Sequence, residues 1–121
     1  MKPGEIYHLE DAKPLHGGKP KGRYVVIVTR EDEIVLDNPI FVVACSSSAR
    51  RGDFDLANLV ALPWSKQGPV RTGFRKPTDA IPSWLLRVRP SQLGRKAGTI
   101  PKNKLQIIVE LLPDDPIADT S

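Results

Sequence analysis

Apolar residues fall in short runs, interrupted every few positions by proline or glycine, which leaves room for strands rather than long helices. Residues 5–9 form a plausible first strand. Residues 10–22 read as a long loop, broken by Pro14, Gly17, Gly18, Pro20 and Gly22. The run at 23–30 (RYVVIVTR) is β-branched with charged ends and predicts a strand. A second run, 40–45, is almost wholly apolar, the pattern of a central strand covered on both faces. A polar loop or strand end follows at 46–53, then a short strand at 59–62. Residues 69–74 and 83–89 are weaker strand candidates, the second alternating in part, and 96–100 predicts a last short strand.

The one segment with helical spacing is 101–112. Leu105, Ile108, Val109 and Leu112 fall at i, i+3, i+4 and i+7 on one face. Pro101 suits a first helical position and Pro113 should end the helix. The remaining residues, 114–121, have little to bury and are expected to fray. Several short strands followed by one amphipathic helix predict a mainly β fold, a small barrel with a C-terminal helix, as a single domain over 1–113.

Composition narrows the class. The chain of 121 residues is 40% hydrophobic and 26% charged, ordinary for a globular domain. No apolar run approaches the roughly 20 residues that span a bilayer. Met1-Lys2-Pro3-Gly4-Glu5 lacks the apolar stretch of a signal peptide. Cys45 has no partner for an intrachain disulfide. Together these features make the cytoplasm the expected compartment.

The net charge of +4 becomes informative once it is mapped. Lys66, Arg71, Arg75, Lys76, Arg87, Arg89, Arg95, Lys96, Lys102 and Lys104 are opposed within their segment only by Asp79. The acids collect at 31–37 and 110–119. Such segregation can build a positive face for a polyanion.

Familiar catalytic signatures are missing: there is no HExxH, paired CxxC, P-loop or GxSxG. His8, His16 and Cys45 make no convincing metal site. His8 reads as a surface or partly packed strand residue, and Cys45 as a buried small hydrophobe. Trp64 and Trp84 read as core or interface anchors. What remains is His16 in a glycine-rich loop leading to Arg23, the hydroxyls of Ser46 and Ser47, and Arg87 among other cations. Guanidinium forks match phosphate oxygens, so this set suits phosphate binding better than acyl or redox chemistry.

The order of segments over residues 3–112 resembles the MazF/PemK toxin family. The likeness rests on Gly4-Glu5-Ile6-Tyr7, on His16-Gly17-Gly18 leading to Arg23, and on the valines of 25–28. It continues through Phe41-Val42-Val43-Ala44-Cys45-Ser46-Ser47 and Val60-Ala61-Leu62-Pro63. Thr72-Gly73-Phe74-Arg75-Lys76-Pro77-Thr78 and Lys96-Ala97-Gly98-Thr99-Ile100 complete it with the final helix. Two departures stand out. Tyr24 follows Arg23 where the family usually has proline, and Leu85-Leu86-Arg87-Val88 replaces a Gln-x-Arg-Thr stretch.

The resemblance implies an SH3-like β-barrel that pairs as a homodimer. It also implies a type II toxin that cuts single-stranded RNA without metal or other cofactor and is restrained by an acidic antitoxin. Arg23 and Arg87 would then hold the phosphate, Ser46 or Ser47 would position it, and His16 would carry a proton. Lys19, Lys21, Arg71, Arg75, Lys76 and Arg89 would hold the RNA backbone. The expectation from a different class is a non-catalytic basic barrel that binds RNA or a protein partner.

Overall fold

The computed structural model describes residues 1–15, 17–52 and 54–119. At its centre lies β3 (Ile40–Ser46), where only Phe41 is exposed. A strand apolar on both sides must be covered on both, and β3 is flanked by β2 (Lys21–Ile27) and β5 (Thr78–Val88). Outward from these lie β1 (Glu5–Ala12) and β6 (Leu93–Thr99) on one side and β4 (Val60–Leu62) on the other. The order is β4-β5-β3-β2-β1-β6, and these neighbours pair antiparallel.

Alternation along β2 and β3 divides the core in two. Val25, Ile27, Val42 and Ala44 pack with Leu9, Ile81, Trp84 and Leu86 on one face. Val26, Val43 and Cys45 pack with Ile6, Leu62, Phe74, Leu85 and Ile108 on the other. Ile108 comes from α1 (Lys102–Glu110) and is fully buried. Pro101 is the N-cap rather than a helical residue, its carbonyl accepting from the N–H groups of Lys104 and Leu105 at 3.1 Å. Val109, expected on the packed face, is 47% exposed. The helix covers the sheet through Ile108, with Leu105 and Leu112 half-buried, so the apolar stripe is narrower than its sequence spacing implies.

The sheet curls into a half-barrel because the 63–76 connection reaches from one edge to the other. Ser65 N–H donates to Phe74 O at 2.9 Å beside β4, and Thr99 N–H donates to Arg71 O at 2.8 Å on β6. Glycine permits that approach. A Cβ on Gly98 would overlap the Arg71 carbonyl oxygen, and one on Gly73, whose φ is +79°, would overlap the Ala97 carbonyl oxygen. Residues 69–74, expected as a weak strand, form this bent closure instead.

Other boundaries move for local reasons. β1 extends to Ala12, shortening the expected 10–22 loop, and Trp84 Nε1–H donates to Lys13 O at 2.8 Å within it. β5 begins at Thr78 and carries Pro82 in its interior. The register jumps there from Cys45↔Ala80 to Val43↔Leu85, so Pro82 sits in a bulge where its missing N–H costs no ladder bond. Within the segment expected to fray, β7 (Ala118–Asp119) pairs in parallel with β5, and Ile117 N–H donates to Leu85 O at 2.9 Å. Among the described residues, no helix is long and apolar enough to cross a membrane.

Candidate functional site

Where β2, β3 and the 73–78 segment converge, they leave a cleft of about 510 Å³. β2 contributes Gly22, Arg23 and Tyr24, and the end of β3 contributes Cys45, Ser46 and Ser47. The closing connection adds Gly73, Phe74, Arg75, Lys76 and Thr78, and β6 adds Arg95. Three cations (Arg75, Lys76 and Arg95), two aromatic rings and a set of hydroxyls therefore meet in one concavity, while Arg23 borders it with its guanidinium turned to the opposite face of β2. Arg75, Lys76 and Arg95 are exposed, while Phe74 is buried and Tyr24 half-buried. The Tyr24 and Phe74 rings meet edge to face at 5.6 Å.

The hydroxyls differ in their freedom. Ser46 is buried, and its Oγ accepts from Ser48 N–H at 3.1 Å and lies 3.2 Å from Ser48 Oγ. Ser47 is exposed. Thr78 donates its hydroxyl to Lys76 O at 3.0 Å, which fixes the strand entry. Behind Ser46, in register with it, lies Asp79, with only 8% of its side chain exposed. Arg50 clamps this carboxylate through Nε at 3.1 Å to both oxygens and Nη2 at 2.9 Å to Oδ1. Burial pushes the Cys45 thiol up to about 12, with the Asp79 charge adding to the effect. Cys45 therefore borders the cleft as an inert wall.

The residues expected from sequence divide into three groups. Arg23, Ser46, Ser47, Arg75 and Lys76 come together at the cleft. Arg23 borders the cleft, but its guanidinium carbon lies 4.8 Å from the ring centroid of Trp84, a cation–π contact on the opposite face of the sheet. Lys19 and Lys21 are exposed nearby in sequence, Lys21 next to Gly22, but neither lines the cleft.

Arg87, Arg89 and Arg71 are separated from it. Arg87 pairs in register with Phe41 and Asp119, five β3 positions from the Ser46↔Asp79 pair, a span of roughly 16 Å at strand rise. Arg87, expected on the phosphate, thus does not line this cleft, because β5 carries it to the other end of the strand. Arg89 donates Nη1–H to Asp37 O at 3.3 Å. Arg71 borders a separate small hollow with Thr99 and Pro101. His16 lies outside the described residues.

Sequence reading missed Tyr24, Phe74, Arg95, Asp79 and Arg50. No motif joins them, and only the curl of the sheet does. Among the described residues, no three His, Cys, Asp or Glu side chains are grouped to hold a metal ion. A larger hollow, of about 780 Å³, lies between the N-terminal residues and α1, but Lys2 and Lys102 there are balanced by Glu31 and Glu110. The smaller cleft has the concentrated charge and the polar groups that recognition needs. In comparisons with known proteins, no family model and no curated sequence matches the chain.

Proposed function

We propose that the cleft binds single-stranded RNA and that the chain is a metal-independent endoribonuclease, a toxin of the MazF/PemK kind on an SH3-like barrel. The observation that carries the reading is the meeting of Arg75, Lys76 and Arg95 with Tyr24 and Phe74 beside Ser46 and Ser47. Cations track a phosphate backbone, and a half-buried ring such as Tyr24 can receive an unstacked base, which a duplex does not offer.

In this reading the 2′-hydroxyl attacks the adjacent phosphate. Arg75, Lys76 and Arg95 stabilise the charge gathering on the phosphoryl oxygens, and Ser47 donates a hydrogen bond to them. An acidic partner segment would compete for the same cations, as expected of an antitoxin. Two copies would pair, hiding surface that includes Trp64 (44% exposed).

The test is incubation of the purified protein with a long single-stranded RNA in excess EDTA. Cleavage should persist, yield 2′,3′-cyclic phosphate or 3′-phosphate ends, and stop when the sugar at the cut site lacks its 2′-hydroxyl. A second reading, a non-catalytic RNA-binding barrel, is favoured by two observations: Arg23 is engaged with Trp84, and Arg87 lies at the far end of β5. Binding without any cleavage would select it.

A further inference from the structure

The Tyr24 pair of the cleft continues into a third ring. His8, on β1, stands directly opposite Tyr24 in the β1–β2 register, and the two rings meet edge to face at 5.5 Å. Beside Tyr24 on the same face of β2 is Gly22, a lining residue of the cleft. A Cβ placed on Gly22 would lie 2.8 Å from both Cε1 and Nε2 of His8. The imidazole edge that carries Nε2 therefore occupies the space where a side chain at position 22 would project. His8 is half-buried and does not itself line the cleft; its nitrogen-bearing edge lies against Gly22, which does.

We infer that His8 is the proton-transfer residue of this cleft, an inference that rests on the proposed RNA cleavage. The chemistry needs a group that can accept a proton near neutrality. Guanidinium and ammonium groups have no lone pair to take a proton, and burial pushes the Cys45 thiol up to about 12. In the step, neutral Nε2 takes the proton of the 2′-hydroxyl as its oxygen bonds to phosphorus. The bond from phosphorus to the 5′-oxygen breaks, and that oxygen takes a proton from water. The imidazolium then returns its proton to the hydroxide formed, leaving a 2′,3′-cyclic phosphate and a 5′-hydroxyl with no net consumption of water.

The charged and titratable groups around His8 come from each neighbouring strand. On β2 it is Tyr24, and on β6 it is Arg95, from the Gly94–Arg95 step that opposes His8 between the pairs Tyr7↔Lys96 and Leu9↔Leu93. On its own strand it is Glu10, and across the cleft Arg75 and Lys76. Cations predominate, so a phosphate drawn to the cleft is drawn to the imidazole as well.

The test compares pH–rate profiles of RNA cleavage in EDTA for the full chain and for four variants, with RNA binding measured alongside. The wild-type rate should rise with pH along a limb, as general-base catalysis requires. His8→Gln should slow cleavage about 100-fold, the lower end of what general acid–base groups contribute, and abolish that limb while still binding RNA. His8→Ala should regain rate when free imidazole is added, which a purely structural role would not allow. Gly22→Ala should displace the ring, the movable end of a side chain, and reproduce the loss with an unchanged unfolding midpoint.

A wild type that cuts RNA, with a limb that survives in His8→Gln or disappears only in His16→Gln, would overturn the assignment and leave the RNA reading intact. A wild type that cuts nothing would remove the cleavage reading and this inference with it.

Discussion

Gly98→Ala tests how the half-barrel is closed and, through that closure, how the cleft is made. The added Cβ would overlap Arg71 O and approach Thr72 C to 2.6 Å, so the 71–73 backbone must move away from β6. Backbone cannot rotate aside as a side chain can. Overpacking of this kind costs about 1–3 kcal/mol. Losing the Thr99 N–H bond to Arg71 O adds about 1 kcal/mol. The expected total is about 2–4 kcal/mol. At this chain length each kcal/mol is worth roughly 4 °C, so the midpoint should fall by about 8–16 °C.

Urea and thermal unfolding, followed by the fluorescence of buried Trp84, would measure the loss. Gly52→Ala is the control: its nearest neighbouring atom would lie 3.5 Å away and its φ is −98°, so its stability should stay within about 0.5 kcal/mol of wild type. Because the same connection carries Phe74, Arg75 and Lys76, Gly98→Ala should also weaken RNA binding. A Gly98→Ala protein as stable as Gly52→Ala would refute the closure argument.

Four further outcomes follow from the packing and charges. Ile108→Ala, which empties the fully buried anchor of α1, should cost about 2–5 kcal/mol in urea unfolding, whereas Val109→Ala at an exposed position should cost well under about 1 kcal/mol. Arg50→Ala leaves the buried Asp79 carboxylate without its clamp and should destabilise by about 1–3 kcal/mol by the same assay. Burial alone would raise the Glu5 carboxyl, yet hydrogen bonds from Lys96, the Lys2 backbone and Tyr7, with the Lys96 charge, hold it below its ordinary 4.5. Its contribution to stability should therefore be complete above pH 4.5 and fade as pH falls through the depressed value, an acid limb that Glu5→Gln should flatten in unfolding measured against pH. Cys45, 3% exposed and held protonated to about pH 12, should react with a thiol reagent at neutral pH only as fast as the fold opens.

The legible parts of the fold were those fixed by local pattern. The β-branched run of β2 and the unbroken apolar run of β3 announce strands because no turn residue interrupts them, and β3 is central as its two-sided burial requires. β5 was read only from Ser83 onward, because its first residues lie before Pro82, and only a bulge opposite Ala44 lets the strand run through it. Val109 fits the helical period, but the curled sheet meets α1 along a narrow line centred on Ile108.

For the site, Arg23, Ser46, Ser47, Arg75 and Lys76 were legible because residue type and segment order marked them. Arg95, Tyr24, Phe74 and His8 were not, since their neighbourhood depends on closing strands distant in sequence. Arg87 shows the converse: its residue type fits, but an eleven-residue strand carries it away from the cleft.

Equilibrium binding of a labelled single-stranded RNA across a range of salt, in EDTA, tests the central claim most directly. The comparison is between wild type, Arg75→Ala/Arg95→Ala and, on α1 outside the cleft, Lys102→Ala. Affinity should fall linearly with salt on logarithmic axes, and the double variant should bind more weakly with a slope shallower by roughly 1.4, about 0.7 for each phosphate that is no longer neutralised. Lys102→Ala should leave both affinity and slope close to wild type. Failure of the wild type to bind single-stranded RNA, or a double variant with unaltered affinity and slope, would contradict the account.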